Sequence, residues 1–448
     1  MNNCDTICAI STALGKSAIN IIRLSGEDSI EIAQKVLKGV DIRKEKGGTI
    51  HHAYVVEGDK YLDEVLVSVF RAPRSYTGEN LVEINTHGGA YVTQKVFDLL
   101  LSLGARCAEP GEFTKRAFLN NKMDLSSAEA VMDIVNANTR KSLELANKAI
   151  HKDVFNLVNE LRMDIEDILL HIDVNIDYPE YEDEIKISHE LVGVKTRNLI
   201  DKITKLIDKA EVMRVYKEGI KTVILGKPNV GKSSLLNALL NENKAIVTDI
   251  SGTTRDIVEG DININGIILH LLDTAGVRET DNPIEQIGIE KTLEVLSDAE
   301  LVLLVLDSSS SLDSQDQILL DKTKDMKRIV IGNKIDIASR LNIDDIVNIS
   351  SLTKDGIEDL KKKIVKLFID EDLSSSNEIA ISSSRHIALL KQALSSLNDA
   401  YESERSDMYL DMIAIDLKNA YDSLGLITGQ TESSELIDEL FKKFCLGK

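Results

Sequence analysis

The chain has 448 residues, 43% of them hydrophobic and 28% charged, and a formal net charge of −21. This composition predicts a globular protein of two or three domains, and no apolar run approaches the roughly 18 residues that cross a membrane. The acidic balance argues against broad binding of nucleic acid by this chain alone. Four scattered cysteines and a start without a signal peptide predict a cytoplasmic protein with no disulfide framework.

Residues 1–122 are predicted to form a compact α/β domain. Strand-like runs such as "NIIRLSG" and "LVEINTHGG" alternate there with turns. A helical pattern follows, in which Ser126 and Glu129 of "SSAE" fit a capping box at the helix start. Apolar residues then recur every three or four positions along two helices. We predict that residues 123–214 are the first part of a helical domain.

Residues 215–371 are predicted to form a second α/β domain. Four short apolar strands, "KTVILG", "IILHLLD", "LVLLVLD" and "RIVIGNK", alternate there with helices, which is typical of a doubly wound parallel sheet. Helical periodicity returns over residues 372–448. The pattern predicts a Ras-like domain inserted into a helical domain, which requires only that the ends of the insert lie close together.

The motif "GKPNVGKSS" (residues 226–234) lies between a predicted strand and a predicted helix. It fits G-x-x-x-x-G-K-[ST], a loop whose backbone N–H groups and helix N-terminus cradle phosphates. Lys232 is expected to reach the β- and γ-phosphates, and Ser233 is expected to bind Mg²⁺.

Two further motifs follow in the order typical of a GTPase. "DTAG" (residues 273–276) follows an apolar strand, as a Walker B acid and γ-phosphate sensor do, and "NKID" (residues 333–336) closes another. Asp336 can accept hydrogen bonds from N1–H and N2–H₂ of guanine, a donor pair that adenine lacks. "ISSL" (residues 349–352) lies where a further base-binding loop is expected, although Ser351 and Leu352 depart from the Ras-like "SAK" pattern.

The predicted GTP-binding residues are Asn229, Val230, Gly231, Lys232, Ser233, Ser234, Thr248, Asp249, Ile250, Ser251, Gly252, Thr253, Thr254, Asp273, Thr274, Ala275, Gly276, Asn333, Lys334, Asp336, Ser350, Ser351 and Leu352.

Val277 follows "DTAG", where Ras-like proteins place the glutamine that orients the attacking water. A valine cannot do so. Asn229 and the segment "TDISGTTRD" (residues 248–256) could instead coordinate a monovalent cation that neutralises charge in the transition state. The alternative for Asn229 is a turn-forming role after Pro228.

These motifs resemble those of the MnmE (TrmE) family of tRNA-modification GTPases. Their order, "GTTRD", the N-terminal domain, the split helical domain and the ending "CLGK" all carry the resemblance, which covers the whole chain. It implies a K⁺-activated GTPase that forms a homodimer through a tetrahydrofolate-binding N-terminal α/β domain.

The resemblance also implies partners. With the FAD enzyme MnmG, in a heterotetramer, such a protein installs a carboxymethylaminomethyl or aminomethyl group at C5 of the tRNA wobble uridine. The one-carbon unit comes from 5-formyl- or methylene-tetrahydrofolate. tRNA binding mainly through MnmG would fit the negative charge of this chain, and no membrane is involved. The alternative is a GTPase switch for ribosome assembly, which has no reason to carry the N-terminal domain or "CLGK".

Site residues follow from the resemblance by motif. It implies that Glu285 orients the attacking water; as a sequence feature alone, Glu285 is more simply one exposed charge. The implied ligand sets are Asn229 with carbonyls of Thr248, Ile250 and Thr253 for K⁺, Ser233 and Thr254 for Mg²⁺, and Arg23, Glu83, Lys122 and Lys448 for the folate. The segment "STALGKSAIN" lacks the proline pair and glycine pair usual in the family. The resemblance therefore does not predict the conformation of the loop beside Arg23.

The ending "FCLGK" has three interpretations: a lipidation box, an inert tail, or a reactive group delivered to a site elsewhere. Gly447 and Lys448 do not fit a prenylation box, and the apolar face that runs from Leu436 to Phe444 predicts an anchored segment. We predict that this segment docks in the folate site, with Lys448 on the ligand and Cys445 as a candidate nucleophile or proton donor.

Overall fold

The computed structural model describes residues 5–13, 15–177, 182–242, 260–272, 296–369, 381–406, 408–430, 434–444 and 447. The chain divides into two compact units. The first contains Met1–Val135, Ala149–Met163 and Tyr421–Lys448, and the second contains Asn136–Lys148 and Asp164–Ala420. The predicted combination of α/β and helical regions is confirmed.

The first unit contains a seven-stranded sheet in the order β3-β4-β5-β6-β2-β1-β7. Its pairs are antiparallel except β1 with β7. The strands are β1 (Ile7–Ile10), β2 (Ile19–Ser25), β3 (Leu37–Lys38), β4 (Thr49–Glu57), β5 (Lys60–Phe70), β6 (Leu81–His87) and β7 (Arg106–Cys107). The helices among and directly after them are α1 (Ser29–Gln34), α2 (Ala90–Ser102), α3 (Glu112–Leu119) and α4 (Leu125–Asn136).

The two faces of this sheet differ. Val67, Ile84 and Ile22 are fully buried on the face that packs against α1 and α2. On the opposite face Leu66 pairs with Asn85, which pairs in turn with Ile21. Because paired positions share a face and residues two apart do too, Ile19, Ile50 and Leu66 all lie on this second face. Their exposed fractions are 55%, 67% and 47%.

Helix α4 begins at a different residue from the one predicted. Asp124 caps it, because its Oδ1 accepts a hydrogen bond from the backbone N–H of Ser127 and its Oδ2 accepts one from the Ser127 hydroxyl. The Ser126 hydroxyl also donates to Asp124. The capping box predicted at Ser126 is therefore wrong: a carboxylate two residues earlier accepts the Ser127 N–H, and both serines lie inside the helix.

The long helices are α5 (Arg140–Ile150), α6 (Asp153–Asp177), α7 (Glu182–Glu218), α11 (Ser384–Arg405) and α12 (Leu410–Thr428). The apolar faces expected from periodicity are buried: Leu161, Ile165 and Ile172 on α6, and Ile203 and Ala210 on α7. Helix α11 packs along α7. The last helix is α13 (Ser434–Phe441). No helix in the described part of the chain has the length and apolar character needed to span a membrane.

The second unit contains a six-stranded sheet in the order β13-β12-β11-β8-β10-β9, parallel except for β9 with β10. Its strands are β8 (Ile220–Leu225), β9 (Asp261–Ile264), β10 (Ile267–Leu271), β11 (Leu301–Asp307), β12 (Arg328–Asn333) and β13 (Val347–Asn348). Its helices are α8 (Lys232–Glu242), α9 (Ser314–Lys322) and α10 (Ile357–Phe368). Because β8, β11 and β12 are parallel, the loops that follow them meet at one edge of the sheet.

The residue that ends α7 before β8 and the residue that begins α11 are hydrogen-bonded to each other. The Glu218 carboxylate accepts hydrogen bonds from the backbone N–H and the hydroxyl of Ser384, at 2.8 and 2.5 Å. Glu218 ends α7 just before β8, and Ser384 begins α11. This proximity is the geometric condition that an inserted domain requires.

Candidate functional site

The loop between β8 and α8 has the backbone that phosphate binding requires. Gly226, Asn229 and Gly231 have φ values of 152°, 63° and 97°. A Cβ at Gly226 would lie 2.4 Å from the Val305 carbonyl oxygen, so only glycine fits there. The loop ends directly at the N-terminus of α8, where free backbone N–H groups and the helix dipole favour an anion.

The Lys232 amine is folded over this loop. Its Nζ donates to the carbonyl oxygens of Gly226 and Lys227, at 2.9 and 2.8 Å. The Lys227 side chain points elsewhere, because its Nζ contacts Asp313 and Asp316 at 2.6 and 2.7 Å. Burial alone would lower the pKa of Lys227, but the hydrogen bonds with Asp313 and Asp316 outweigh it and raise the pKa. Lys232 is thus the loop lysine placed to meet phosphates.

Asn333 connects this loop to the predicted base-binding segments. Its Nδ2 donates to the Val230 carbonyl oxygen at 2.8 Å, and its Oδ1 accepts from the backbone N–H and hydroxyl of Ser351 at 3.0 and 2.9 Å. A Cβ at Gly231 would lie 2.3 Å from Asn333 Nδ2, so this glycine allows the close approach. One buried side chain therefore joins three of the predicted motifs.

The base-binding end also contains Asp336. Its Oδ1 accepts a hydrogen bond from the Ser350 hydroxyl at 2.6 Å, which orients the carboxylate. Lys334 has a φ of 68°, and its Nζ contacts Asp307 at 2.7 Å. Burial would raise the pKa of Asp307, but the hydrogen bonds from Lys334 and Ser309 together outweigh it and lower the pKa. The Leu352 side chain is 83% exposed and takes no part in the contacts around Asn333 and Asp336.

Several predicted residues lie outside the described residues. They are the first-switch residues 248–254, the "DTAG" residues 273–276, Glu285, Cys445 and Lys448. Of the predicted K⁺ and Mg²⁺ ligands, the structure describes only Asn229 and Ser233. Both ligand sets therefore stay predictions. Among the described residues, no three His, Cys, Asp or Glu side chains cluster as a metal site.

A second group of predicted residues meets in the first unit. Arg23 forms an ion pair with Glu83 at 2.8 Å, and both side chains are about one-fifth exposed. The Arg23 guanidinium lies 5.6 Å from the ring centroids of both Tyr76 and Phe113. Burial raises the pKa of Tyr76, although a hydrogen bond with Thr114 and the charge of Arg23 oppose this.

The residue before the predicted ligand Lys448 lies in the same place. Arg23 Nη1 and the Ser11 hydroxyl both donate to the Gly447 carbonyl oxygen at 3.2 Å. The fourth predicted residue, Lys122, packs on the loop that carries Tyr76: its Nζ donates to the Pro73 carbonyl oxygen at 2.9 Å, and a Cβ at Gly78 would lie 3.3 Å from its Cγ. The sequence indicated neither Ser11, Tyr76 nor Phe113, because their contacts exist only in the folded chain.

Comparisons with known proteins identify the family. Residues 6–122 match the family model described as GTP-binding protein TrmE N-terminus, and residues 125–445 match the MnmE helical domain. The chain belongs to the MnmE family.

Two relatives in this family are each named tRNA modification GTPase MnmE. The protein of Aster yellows witches'-broom phytoplasma (strain AYWB) is 47% identical over 457 residues, and 99% of each chain is covered. The protein of Acholeplasma laidlawii (strain PG-8A) is 45% identical over 444 residues, with 99% of each covered. Among solved structures, the G domain of the T. maritima FeoB iron transporter matches 33% of this chain and 98% of its own at 28% identity, with a TM-score of 0.25. A TM-score this low supports no conclusion about the fold.

Proposed function

We propose that this MnmE-family GTPase is activated by K⁺ and modifies C5 of the tRNA wobble uridine together with an MnmG-type flavoprotein. The observation that carries the proposal is the position of Gly447 on Arg23, beside Glu83 and in the same chain as a nucleotide-binding loop. A GTPase that acts only as a switch has no use for a second site in which Arg23 and Glu83 meet Gly447.

The nucleotide site is proposed to work through its own loop and side chains. The N–H groups of residues 229–234 and the Lys232 amine bind phosphates, and Asp336, oriented by Ser350, selects guanine. Ser233 and Thr254 are proposed for Mg²⁺. Asn229, with the carbonyls of Thr248, Ile250 and Thr253, is proposed for K⁺, and Glu285 is proposed to orient the attacking water.

The residues of the first unit fit a folate by their chemistry. A pterin ring presents an amide–amidine edge that suits the Glu83 carboxylate, and the half-buried Tyr76 provides apolar surface for a flat ring. Arg23, Lys122 and Lys448 supply cations for the acidic tail of the ligand. When bound, tetrahydrofolate supplies the one-carbon unit. Cys445 is proposed to act on the uridine or on the one-carbon group.

Two further parts of the proposal concern assembly. With its net charge of −21, the chain needs a partner that supplies basic surface for the tRNA. We propose a heterotetramer in which this partner binds most of the tRNA and also carries FAD. The exposed apolar face of the first sheet, with Ile19, Ile50 and Leu66, is proposed as the homodimer contact.

Reconstitution tests this function. Purified protein, an MnmG-type flavoprotein, unmodified tRNA, GTP, KCl, methylene-tetrahydrofolate and an amine (ammonium for the aminomethyl group, glycine for the carboxymethylaminomethyl group) should together yield a C5-modified uridine by nucleoside mass spectrometry. Omission of the folate or of GTP should abolish the product. A complete mixture that hydrolyses GTP but leaves the tRNA unmodified would contradict the proposal.

A further inference from the structure

We propose that Lys227 is a positioning residue for nucleotide binding, because its side chain ties the phosphate loop to the start of α9 and holds the loop in the conformation that receives phosphates. The inference deepens the nucleotide site and rests on the proposed function of that loop. Lys227 is the second residue of the loop, and its polar groups point in two directions. Its carbonyl oxygen accepts a hydrogen bond from Lys232 Nζ at 2.8 Å, whereas its own Nζ contacts Asp313 and Asp316.

The two carboxylates that hold Lys227 are oriented by the helix that they cap. Asp313 Oδ1 accepts hydrogen bonds from the backbone N–H groups of Gln315 and Asp316, each at 3.0 Å. The Asp313 N–H in turn donates to Asp316 Oδ2 at 3.2 Å, which completes a capping box. Lys227 Nζ lies 2.6 Å from the remaining oxygen, Asp313 Oδ2, and 2.7 Å from Asp316 Oδ2. The start of α9 therefore presents two oriented oxygens to one amine. We call this contact the Lys227 clamp.

Burial makes the Lys227 clamp costly to break. Asp316 is 3% exposed, and the Lys227 side chain is 18% exposed. Asp316 Oδ1 is buried and accepts no hydrogen bond in the described part of the chain. The Lys227 ammonium is thus the cation that compensates this carboxylate, and its removal would leave a buried charge uncompensated. At Asp313, which is more exposed, the hydrogen bond from Lys227 is the main cause that lowers the pKa.

The Lys227 clamp lies between two other contacts that hold the loop. Before it, Gly226 lies so close to β11 that a Cβ there would be 2.4 Å from the Val305 carbonyl oxygen. After it, the Val230 carbonyl oxygen accepts from Asn333 Nδ2 at 2.8 Å. Because β8 and β11 are parallel neighbours, the loop after β8 and the segment that leads to α9 meet at one edge of the sheet. A loop held at these points meets phosphates with its N–H groups already arranged, so little ordering accompanies binding.

A direct action of the Lys227 charge on the phosphates is the alternative, and the two roles predict opposite signs. The double variant Asp313→Asn/Asp316→Asn keeps side-chain oxygens that can cap α9 but removes both partner charges. If Lys227 acts through the clamp, this variant and Lys227→Met should both bind GDP about five- to twentyfold more weakly. If the Lys227 charge acts on the phosphates, removal of two nearby negative charges should tighten GDP binding in the double variant.

Titration with fluorescent N-methylanthraniloyl-GDP measures these dissociation constants. Lys322→Met and Asp321→Asn are the matched controls, because they make the same charge changes at exposed residues near the other end of α9, and both should keep the wild-type Kd. Asp313→Asn alone changes the more exposed carboxylate and should weaken binding about two- to threefold. It keeps the comparison of signs available if the double variant does not fold.

A mutant cycle and steady-state kinetics test the positioning role itself. Lys227→Met should add little in the double asparagine background, because the clamp is already absent there. In Lys227→Met the KM for GTP should rise, whereas kcat at saturating GTP should stay within about twofold of wild type, because Lys227 contacts no reacting atom. Tighter GDP binding by the double variant, effects that multiply in the cycle, or a lower kcat at unchanged KM would each overturn the clamp.

A measurement without nucleotide separates the clamp from the proposed GTP site. In nucleotide-free protein the Lys232 amine is held by the carbonyl oxygens of Gly226 and Lys227, so its rate of acetylation by acetic anhydride reports how often these contacts open. Peptide mass spectrometry should show this rate about threefold higher in Lys227→Met and unchanged in Lys322→Met. A wild-type acetylation rate in Lys227→Met would contradict the clamp. Failure of even the wild-type protein to bind GDP would contradict the nucleotide site, and the acetylation rate would then decide the clamp.

Discussion

Asn229 is the one described residue of the proposed K⁺ site. It is exposed on the phosphate loop and has a φ of 63°. We expect wild-type GTP hydrolysis to be at least about tenfold faster in KCl than in NaCl at equal ionic strength, because a fitted cation stabilises charge in the transition state. Asn229→Ala should abolish this difference and leave the Kd for GTP nearly unchanged.

Asn265 supplies the control for this prediction. It is an exposed asparagine with a φ of 52° in the turn between β9 and β10 of the same unit. Asn265→Ala therefore imposes a similar backbone strain far from the phosphate loop and should keep the response to K⁺. Equal wild-type rates in the two salts would exclude K⁺ activation.

Asp336 should determine the choice of base. Asp336→Asn replaces one acceptor by a donor, so the side chain can no longer accept both guanine N–H groups. It can still accept from N1–H of xanthine and donate to the O2 atom. We expect GTP to bind about 10- to 100-fold more weakly and XTP more tightly, as measured by competition binding. Asp344→Asn, at an exposed aspartate of the same region, should change neither affinity. Retained preference for GTP in Asp336→Asn would contradict the assignment.

Motif spacing predicts which residues bind the nucleotide, but it did not indicate the side chains that support them. Asn333 was predicted for the base, yet its hydrogen bond to Val230 also joins the two loops. Lys227 lies within the phosphate-loop motif, but its ion pairs with Asp313 and Asp316 depend on a helix some 85 residues away. Such contacts have no local pattern, because they arise only when parallel strands bring distant loops to one edge.

Among the elements, the strands with apolar or alternating runs were predicted, including β2 and β6 of the first sheet, whereas β4 and the two-residue strands β3, β7 and β13 were not. β8, β11 and β12 lie where the runs indicated. β4 was not predicted: its His51 and His52 interrupt the apolar pattern, and it forms because β5 pairs with it over almost its whole length. The prediction of a capping box at Ser126 failed because several residues near the start of α4 can cap a helix. The Asp124 carboxylate is the one that accepts the Ser127 N–H.

Helix α3 is fixed to the first sheet by an ionic network with a predictable pH dependence. Glu112 accepts hydrogen bonds from Arg106 at 2.5 and 3.1 Å and from Arg116 at 3.1 Å. Burial alone would raise the pKa of Glu112 above its usual value of 4.5, but these bonds outweigh it and lower the pKa. The stabilisation is therefore complete above pH 4.5 and is lost as the pH falls through the lowered pKa.

Glu112→Gln should remove most of this dependence; Asp5, which pairs with the same two arginines, keeps the rest. At neutral pH the variant should lose about 1.5–3 kcal/mol of local stability, because charged hydrogen bonds are replaced by neutral ones. Hydrogen-exchange protection of residues 106–119, corrected for the intrinsic rate, should fall with decreasing pH in the wild type and fall much less in Glu112→Gln. Glu57→Gln, at an exposed glutamate of β4, should behave as wild type. A variant that keeps the wild-type pH dependence would show that other carboxylates cause it.

At the scale of the whole molecule, the homodimer proposal depends on the exposed face of the first sheet. Leu66→Lys should raise the dimer Kd about 100-fold in sedimentation experiments, because a symmetric contact brings two added charges together. Leu119→Lys is the matched control: Leu119 on α3 is 46% exposed, against 47% for Leu66. A Leu66→Lys protein that remains dimeric would place the contact elsewhere.

The central claim is that GTP hydrolysis by this chain serves modification of the tRNA wobble uridine. Nucleoside mass spectrometry of bulk tRNA from a strain that lacks the protein tests it most directly. We predict that the C5-modified uridine disappears, that the wild-type gene restores it, and that Glu285→Ala, which still binds GTP, does not. Undiminished modified uridine in the strain without the protein would contradict the claim.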